Sequence, residues 1–329
     1  MKSNIKGRFK GLDSLRGIAA FSVMICHYTH VYNVFYPYNY KDYFGFEIGG
    51  RAVELFFILS GFVIFFSIQG IQSSRQFLLQ RFIRLFPTYW VCLTLTFTTV
   101  YFFGLPGLEV SWKEALIGFT MVPQLFGVQK VDYSYWTLVP ELFFYLVISL
   151  VIITKTKNRI LEIGAFWLIL SFIHIYIFHI KGLGLVLLLD YFPFFFSGIL
   201  FFELKANKSN RIVWVLLFLS YLIGLGRYIH KPDEMILMTL IYVTYLIFVL
   251  KNLSFLENRV LIFIGKISYA LYLIHQFVGY VILNHVRMYF DSMIVIIVPI
   301  IVSIILATII TFYIEQPTIR YLKNYRKKI

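Results

Sequence analysis

The run MIVIIVPIIVSIILATIITFYI, residues 293–314, is 22 residues long and holds no charge. About 20 consecutive apolar residues suffice for a helix to cross the hydrocarbon of a bilayer, so this stretch reads as a membrane span. Nine further apolar runs lie upstream: 12–34, 52–71, 87–106, 138–154, 160–180, 183–204, 212–230, 234–250 and 260–284. The ten runs fill about two thirds of the chain. They are long and continuous, unlike the short alternating segments of a membrane β-barrel. The composition agrees, with 60% hydrophobic and 14% charged residues and a mean hydropathy of +0.79. Soluble domains carry about 25% charged residues. A soluble globular protein, a disordered chain and a nucleic-acid binder are thereby excluded. The expected fold class is all-α: a polytopic integral membrane protein of about ten transmembrane helices.

The net charge of +14 on 329 residues has a topological explanation. With the N-terminus placed in the cytoplasm, the inner segments hold 21 Lys and Arg residues and the outer segments 8, and Arg16 lies within the first run. This is the positive-inside bias, and it puts both termini in the cytoplasm. The basic start followed by an apolar run resembles a signal peptide. The run 12–34 is too long for a signal core and is interrupted by Arg16 and His27, so it reads as a retained first span. Cys26 and Cys92 both sit in apolar runs, which excludes a disulfide framework. Without an internal repeat or linker, the expectation is a single membrane domain over 1–329, with no extracytoplasmic domain fused to it.

Charged residues inside a membrane helix are costly and by default mark function. The first span contains LDSLRGIAAFSVMICHYTH (12–30), with Arg16 and His27 11 residues apart. On an α-helix that spacing places both on one face, about 16 Å apart along the axis. Asp13 lies one turn before Arg16 and can pair with it. The plainer alternative is an arginine snorkelling to headgroups and a packing histidine. His30 follows His27 by one turn, but no third ligand at zinc-like spacing accompanies them, so no metal is expected.

The second span reads IGGRAVELFFILSGFVIFFS (48–67). Glu54 enters at its outer end, either as a functional group or as a solvated interfacial one. Ser60 and Gly61 read as a close helix contact. In SSRQFLLQRFIRLFPTYW (73–90), Arg81 and Arg84 stand one turn apart on a short amphipathic segment that Pro87 ends. They suit either an interfacial helix on anionic headgroups or a clamp on phosphate oxygens. In YSYWTLVPELFFYLV (133–147), Glu141 lies about one turn inside the outer boundary, and Tyr145 one turn deeper on the same side. The nearby Trp136 and tyrosines also suit an aromatic belt. In GKISYALYLIHQ (265–276), Ser268 and His275 share a face, and His275 reads as packing or interhelical hydrogen bonding. Asp190, His174 and His179 show no interpretable spacing.

These segments resemble the membrane acyltransferase-3 family, which includes polysaccharide O-acetyltransferases. The resemblance runs from about residue 8 to 320. It rests on LDSLRGIAA (12–20) with Arg16 and His27 in the family's R-x10-H arrangement, VELFFILSGFVI (53–64), RFIRLFPTYW (81–90), WTLVPELFFY (136–145), ISYALYLIH (267–275) and IEQP (314–317). The chain departs from the family at Ala52, where Gly is common, and at Glu54, where Asp is common. Leu142 stands where many members carry a second acid.

The resemblance implies transfer of an acetyl or other short acyl group from cytoplasmic acetyl-CoA to a hydroxyl of a surface polysaccharide or lipid-linked sugar. It makes His27 the catalytic base and Arg16, Arg81 and Arg84 the acyl-CoA contacts. Glu141 joins the catalytic set, and Glu54 and Tyr145 the acceptor-binding set. The expected setting is a multi-pass protein in a bacterial inner (plasma) membrane, with membrane lipids as neighbours and no nucleic-acid partner. The alternative is a proton-coupled transporter or flippase of a glycan intermediate, against which stands the absence of paired, broken-helix repeats.

Overall fold

The computed structural model describes residues 9–37, 42–179, 183–290 and 292–325. Lys2, Lys6, Arg8, Lys41, Lys181, Arg326, Lys327 and Lys328, all used in the charge argument, lie outside the described residues. Among the described residues the chain is helical and has no strand. The helices are α1 (Lys10–Cys26), α2 (Tyr32–Phe35), α3 (Ala52–Ser67), α4 (Ser74–Phe103), α5 (Trp112–Gly118), α6 (Leu138–Ile153) and α7 (Ile160–Tyr176). They continue as α8 (Leu183–Val186), α9 (Phe192–Ala206), α10 (Arg211–Gly226), α11 (Pro232–Lys251), α12 (Arg259–Val286), α13 (Ile297–Ile310) and α14 (Gln316–Tyr325). A π turn, His27–Val31, joins α1 to α2, and a second, Thr311–Glu315, joins α13 to α14.

Seven helical stretches among the described residues are long and apolar enough to cross a membrane: Glu47–Gly70, Ser74–Phe103, Tyr133–Ile153, Thr156–Tyr176, Pro232–Lys251, Arg259–Val286 and Met293–Tyr321. Two expected boundaries move. Pro87 does not open a span; it lies inside the 30-residue α4. Proline removes one N–H and crowds the preceding turn, and in a membrane protein neighbouring side chains compensate. The carbonyl left without its helical donor is Ile83 O; in the same turn the Tyr269 hydroxyl donates to Leu85 O at 3.0 Å and fastens α12 to this part of α4. The apolar run 183–204 is not one helix either. Leu188 has φ 59°, and the chain turns before α9 begins.

The chain forms two compact units. The first comprises Met1–Arg16, Arg51–Leu79 and Pro140–Ile262. Its centre is α9, in which every residue from Phe192 to Phe202 is buried. FPFFFSGILFF is apolar on all sides, and such a helix can be surrounded by neighbours. α3 crosses it at Gly61 and Gly198, where a Cβ on either would strike the other helix's backbone, at Phe195 O and Ile58 O respectively. This is the close approach expected at Gly61. Phe195 packs on Phe144 at 4.4 Å and on Phe57 at 4.8 Å, pairs worth about 0.5–1.5 kcal/mol each beyond their buried area. Ser197 Oγ lies 2.7 Å from the Tyr242 hydroxyl and 3.0 Å from Ser220 Oγ, which ties α9 to α11 and α10.

The second unit comprises Gly17–Gly50, Gln80–Val139 and Phe263–Ile329. Its centre is α12, buried without interruption from Ala270 to Val281. Gly279 leaves space that the Tyr28 ring occupies. The Tyr28 hydroxyl donates to His275 O at 2.7 Å and lies 2.8 Å from Ser303 Oγ of α13. Asp132, fully buried, accepts from the N–H and hydroxyl of Ser134 at 2.8 and 2.6 Å and from the N–H of Phe277 at 2.9 Å, which fastens the loop before α6 to α12. Tyr89 and Trp90 of α4 donate to Gly118 O and Phe119 O at 2.7 and 3.0 Å and hold α5 in place.

Candidate active site

In the second unit, α1 loses its α register at His27, the first residue of the π turn. Such single-turn π segments recur at functional sites. Within this turn Thr29 Oγ1 donates to Ile25 O at 2.8 Å and accepts from Phe46 N at 3.0 Å. His27 is half-buried, while His275 of α12 is 1% exposed. His27 Nδ1 lies 2.7 Å from His275 Nε2. The ring planes differ by 7° and the centroids are 4.9 Å apart. Near-parallel rings whose nitrogens are only 2.7 Å apart meet edge to edge rather than face to face, so the contact is an in-plane hydrogen bond. On its far side, His275 Nδ1 lies 3.0 Å from Leu271 O and 2.9 Å from Tyr272 O.

Arg81 and Arg84 belong to the same unit, one turn apart on α4. Arg81 is 8% exposed and Arg84 half-buried. The short interfacial segment expected there is instead the first half of a long helix, and Arg81 is not a surface residue of it. Phe82 stacks on Phe86 at 4.4 Å, and Trp90 meets Phe86 edge to face at 5.7 Å, at successive one-turn intervals. A guanidinium held this far from water is costly unless its charge is compensated.

In the first unit, Arg16 lies half-buried on α1. Glu141, also half-buried, accepts at Oε1 from the Tyr145 hydroxyl and from Ser60 Oγ at 3.2 Å. The structure therefore brings Glu141 and Tyr145 together. Tyr145 is 3% exposed, with its ring against Phe77, and its hydroxyl serves the carboxylate. Ser60, read from sequence only as a packing residue, is a further donor to this acid.

Glu54 is 4% exposed, which overturns the solvated interfacial reading. Its Oε1 accepts from the Tyr228 hydroxyl at 2.5 Å and lies 3.9 Å from Arg51 Nη1. Its Oε2 is buried and has no hydrogen-bond partner among the described residues. Arg51 also pairs with Glu234 at 2.9 Å and lies over the Tyr228 ring at 5.2 Å, and Lys231 pairs with Glu234 at 3.0 Å. Sequence reading missed Arg51, Tyr228 and Glu234. Glu234 follows Pro232 in the first turn of α11, where an acid is ordinary helix-end chemistry. Asp190, uninterpretable from spacing, meets Arg227 at 3.2 Å and His174 at 3.5 Å. Among the described residues no three His, Cys, Asp or Glu side chains converge as metal ligands.

A family model described as an acyltransferase domain, that of the acyltransferase-3 family, matches residues 9–314. The chain belongs to the acyltransferase-3 family. It is also similar to the protein named "Putative acetyltransferase ORF330" of Acidianus two-tailed virus, 24% identical over 292 residues, covering 80% of this chain and 81% of that one. No solved structure matches it. Family membership makes the protein an acyltransferase with membrane-spanning helices. It also places the dihistidine contact, which joins the family's R-x10-H and ISYALYLIH segments, within an enzyme.

Proposed function

We propose that this acyltransferase moves an acetyl or other short acyl group from cytoplasmic acyl-CoA to a hydroxyl of a surface or lipid-linked glycan, with His27 as general base. The observation that carries this is the 2.7 Å contact between half-buried His27 and fully buried His275. It leaves one edge of the His27 imidazole engaged and the other edge available. Imidazole titrates near neutral pH and suits proton abstraction from a hydroxyl.

In direct transfer, the acceptor O–H gives its proton to His27 as the oxygen attacks the thioester carbonyl. The C–S bond breaks, and the departing thiolate takes the proton back from His27. A two-step route through an acyl-histidine uses the same nitrogen as nucleophile. Arg81 and Arg84 would hold phosphate oxygens of the donor by charge-assisted hydrogen bonds, and the family resemblance gives Arg16 the same role. The outer acids Glu54 and Glu141 would bind or orient the acceptor's hydroxyls. Tyr145 then sets the position of Glu141, and Tyr228 that of Glu54. In this reading the chain is one membrane domain crossing a bacterial plasma membrane ten times, with both termini cytoplasmic. The three crossings beyond the seven long ones would use Lys10–Phe35, α9 and α10.

The test is the ester-linked acyl content of the host's surface glycans. A deletion strain carrying the wild-type gene is compared with one carrying His27→Ala at matched membrane levels. Ester present with wild type alone supports the reading. Equal ester in both strains refutes His27 as base, and ester in neither refutes the donor or acceptor class.

A further inference from the structure

We infer that His275 is a positioning residue that fixes His27 in the tautomer with a bare Nε2, an inference that rests on the reading of His27 as base. The argument is one of donors and acceptors. His275 Nδ1 faces two carbonyl oxygens, Leu271 O and Tyr272 O, at 3.0 and 2.9 Å. Carbonyls only accept, so this nitrogen carries the hydrogen. A neutral imidazole has one N–H and one lone pair, so His275 Nε2 is an acceptor. The nitrogen 2.7 Å from it, His27 Nδ1, must then donate. With its single hydrogen on Nδ1, His27 presents a lone pair at Nε2, the edge directed away from His275. A free histidine side chain prefers the opposite tautomer, with the hydrogen on Nε2 and no lone pair there to take a proton.

The arrangement is held from behind. His275 is 1% exposed, and its own carbonyl accepts the Tyr28 hydroxyl at 2.7 Å. Turning its ring over would replace both nitrogens by carbons and break the contacts on both edges. When His27 Nε2 takes a proton, its Nδ1–H goes on donating to His275 Nε2. The new charge is then spread along a chain of hydrogen bonds that ends on the α12 carbonyls, and no group has to move. The orienting partner is thus a neutral ring, where the familiar catalytic histidine leans on a carboxylate. His275 acts through His27 and need not touch the substrate.

The experiment reads the tautomer directly. The full-length protein is labelled with ¹⁵N-histidine in lipid nanodiscs, and long-range ¹H–¹⁵N correlations are recorded, with His27→Ala identifying the His27 signals. The wild type should show His27 protonated at Nδ1 and bare at Nε2. His275→Phe should shift His27 toward the Nε2-protonated form. It should also lower thiol release from acetyl-CoA in acceptor-bearing host membranes by about 10²–10⁴-fold, the span general-base catalysis covers, with KM for acetyl-CoA unchanged. His275→Gln restores an acceptor near the position of Nε2 and should keep the Nδ1-protonated form and recover rate to within about tenfold of wild type, since one neutral hydrogen bond, worth about 1 kcal/mol, replaces another.

Wild-type His27 protonated at Nε2, or an unchanged tautomer in His275→Phe, overturns the inference. So does a His275→Gln variant that keeps the tautomer yet stays as slow as the Phe variant. Failure of the base reading is separate: His27→Ala would then keep its thiol release while the wild-type tautomer stands as inferred.

Discussion

Two buried polar clusters, one in each unit, are held in opposite ways. In the second unit, His27 and His275 are joined nitrogen to nitrogen at 2.7 Å, and each hydrogen-bonding atom of His275 has a matched partner. In the first, Arg51, Glu54, Tyr228, Lys231 and Glu234 form a charged cluster in which Glu54 Oε2 has no donor among the described residues. A matched neutral pair costs little to bury and serves proton transfer, because nothing around it must reorganise. An under-donated carboxylate is expensive to bury and serves binding, because a hydroxyl-bearing ligand supplies the missing donor. On this account the dihistidine pair is built for proton transfer and the Glu54 cluster for binding.

The sharpest break of that contrast is His27→Ala. It should lower acyl transfer by about 10²–10⁴-fold, the contribution of a positioned general base, as measured by thiol release, while purified protein stays monodisperse and melts normally. Glu54→Gln should act on binding instead. It keeps an oxygen for Tyr228 but loses the charge facing Arg51. The expected result is a rise of about tenfold in KM for acceptor, about 1.4 kcal/mol, with KM for acyl-CoA unmoved. A fall in kcat alone would place Glu54 with the base and erase the distinction between the clusters.

Smaller effects sharpen the picture. Tyr28→Phe removes the hydroxyl that holds His275 O and meets Ser303. It should destabilise the second unit by about 1 kcal/mol, a typical buried hydrogen bond, read as a lowered melting temperature in detergent. A change confined to neither cluster comes from the Ser111–Glu114 capping box ahead of α5. The Glu114 carboxylate accepts the Ser111 N–H and hydroxyl, both at 2.8 Å, and these bonds hold its pKa below the ordinary glutamate value. Its stabilisation is therefore complete above the unfolded value and is lost as pH falls through the lowered one. Being almost fully solvated, it should contribute less than about 1 kcal/mol. A Glu114→Ala variant should lose less stability than the wild type as pH falls, by that amount, read as a shallower acid-side decline in melting temperature.

Much of the all-helical membrane architecture was legible because apolar length is a local property: the run 293–314 predicts a span by itself. The run 183–204 was misread as one helix because it is apolar from end to end, and apolar length does not register the turn at Leu188 that precedes α9. Pro87 misled because a proline reads locally as a helix end, whereas α4 runs on through it, packed by groups far away in sequence such as the Tyr269 hydroxyl, 184 residues from Leu85. The site was legible in part for the same reason. Charges inside apolar runs singled out Arg16, His27, Glu54 and Glu141. Their partners did not declare themselves: His275 lies 248 residues from His27, and Tyr228 lies 174 from Glu54. The Ser268–His275 spacing pointed to a shared face, yet Ser268 Oγ donates locally to Gly265 O at 2.9 Å, and only His275 reaches α1.

The central claim is that His27 drives transfer of an acyl group from a CoA thioester to a glycan hydroxyl. Its most direct test supplies acetyl-labelled acetyl-CoA to host membrane vesicles that bear either the wild type or His27→Ala at equal abundance, and follows alkali-labile label in the glycan fraction. The account predicts label with the wild type and background with the variant. Equal label in both would contradict it.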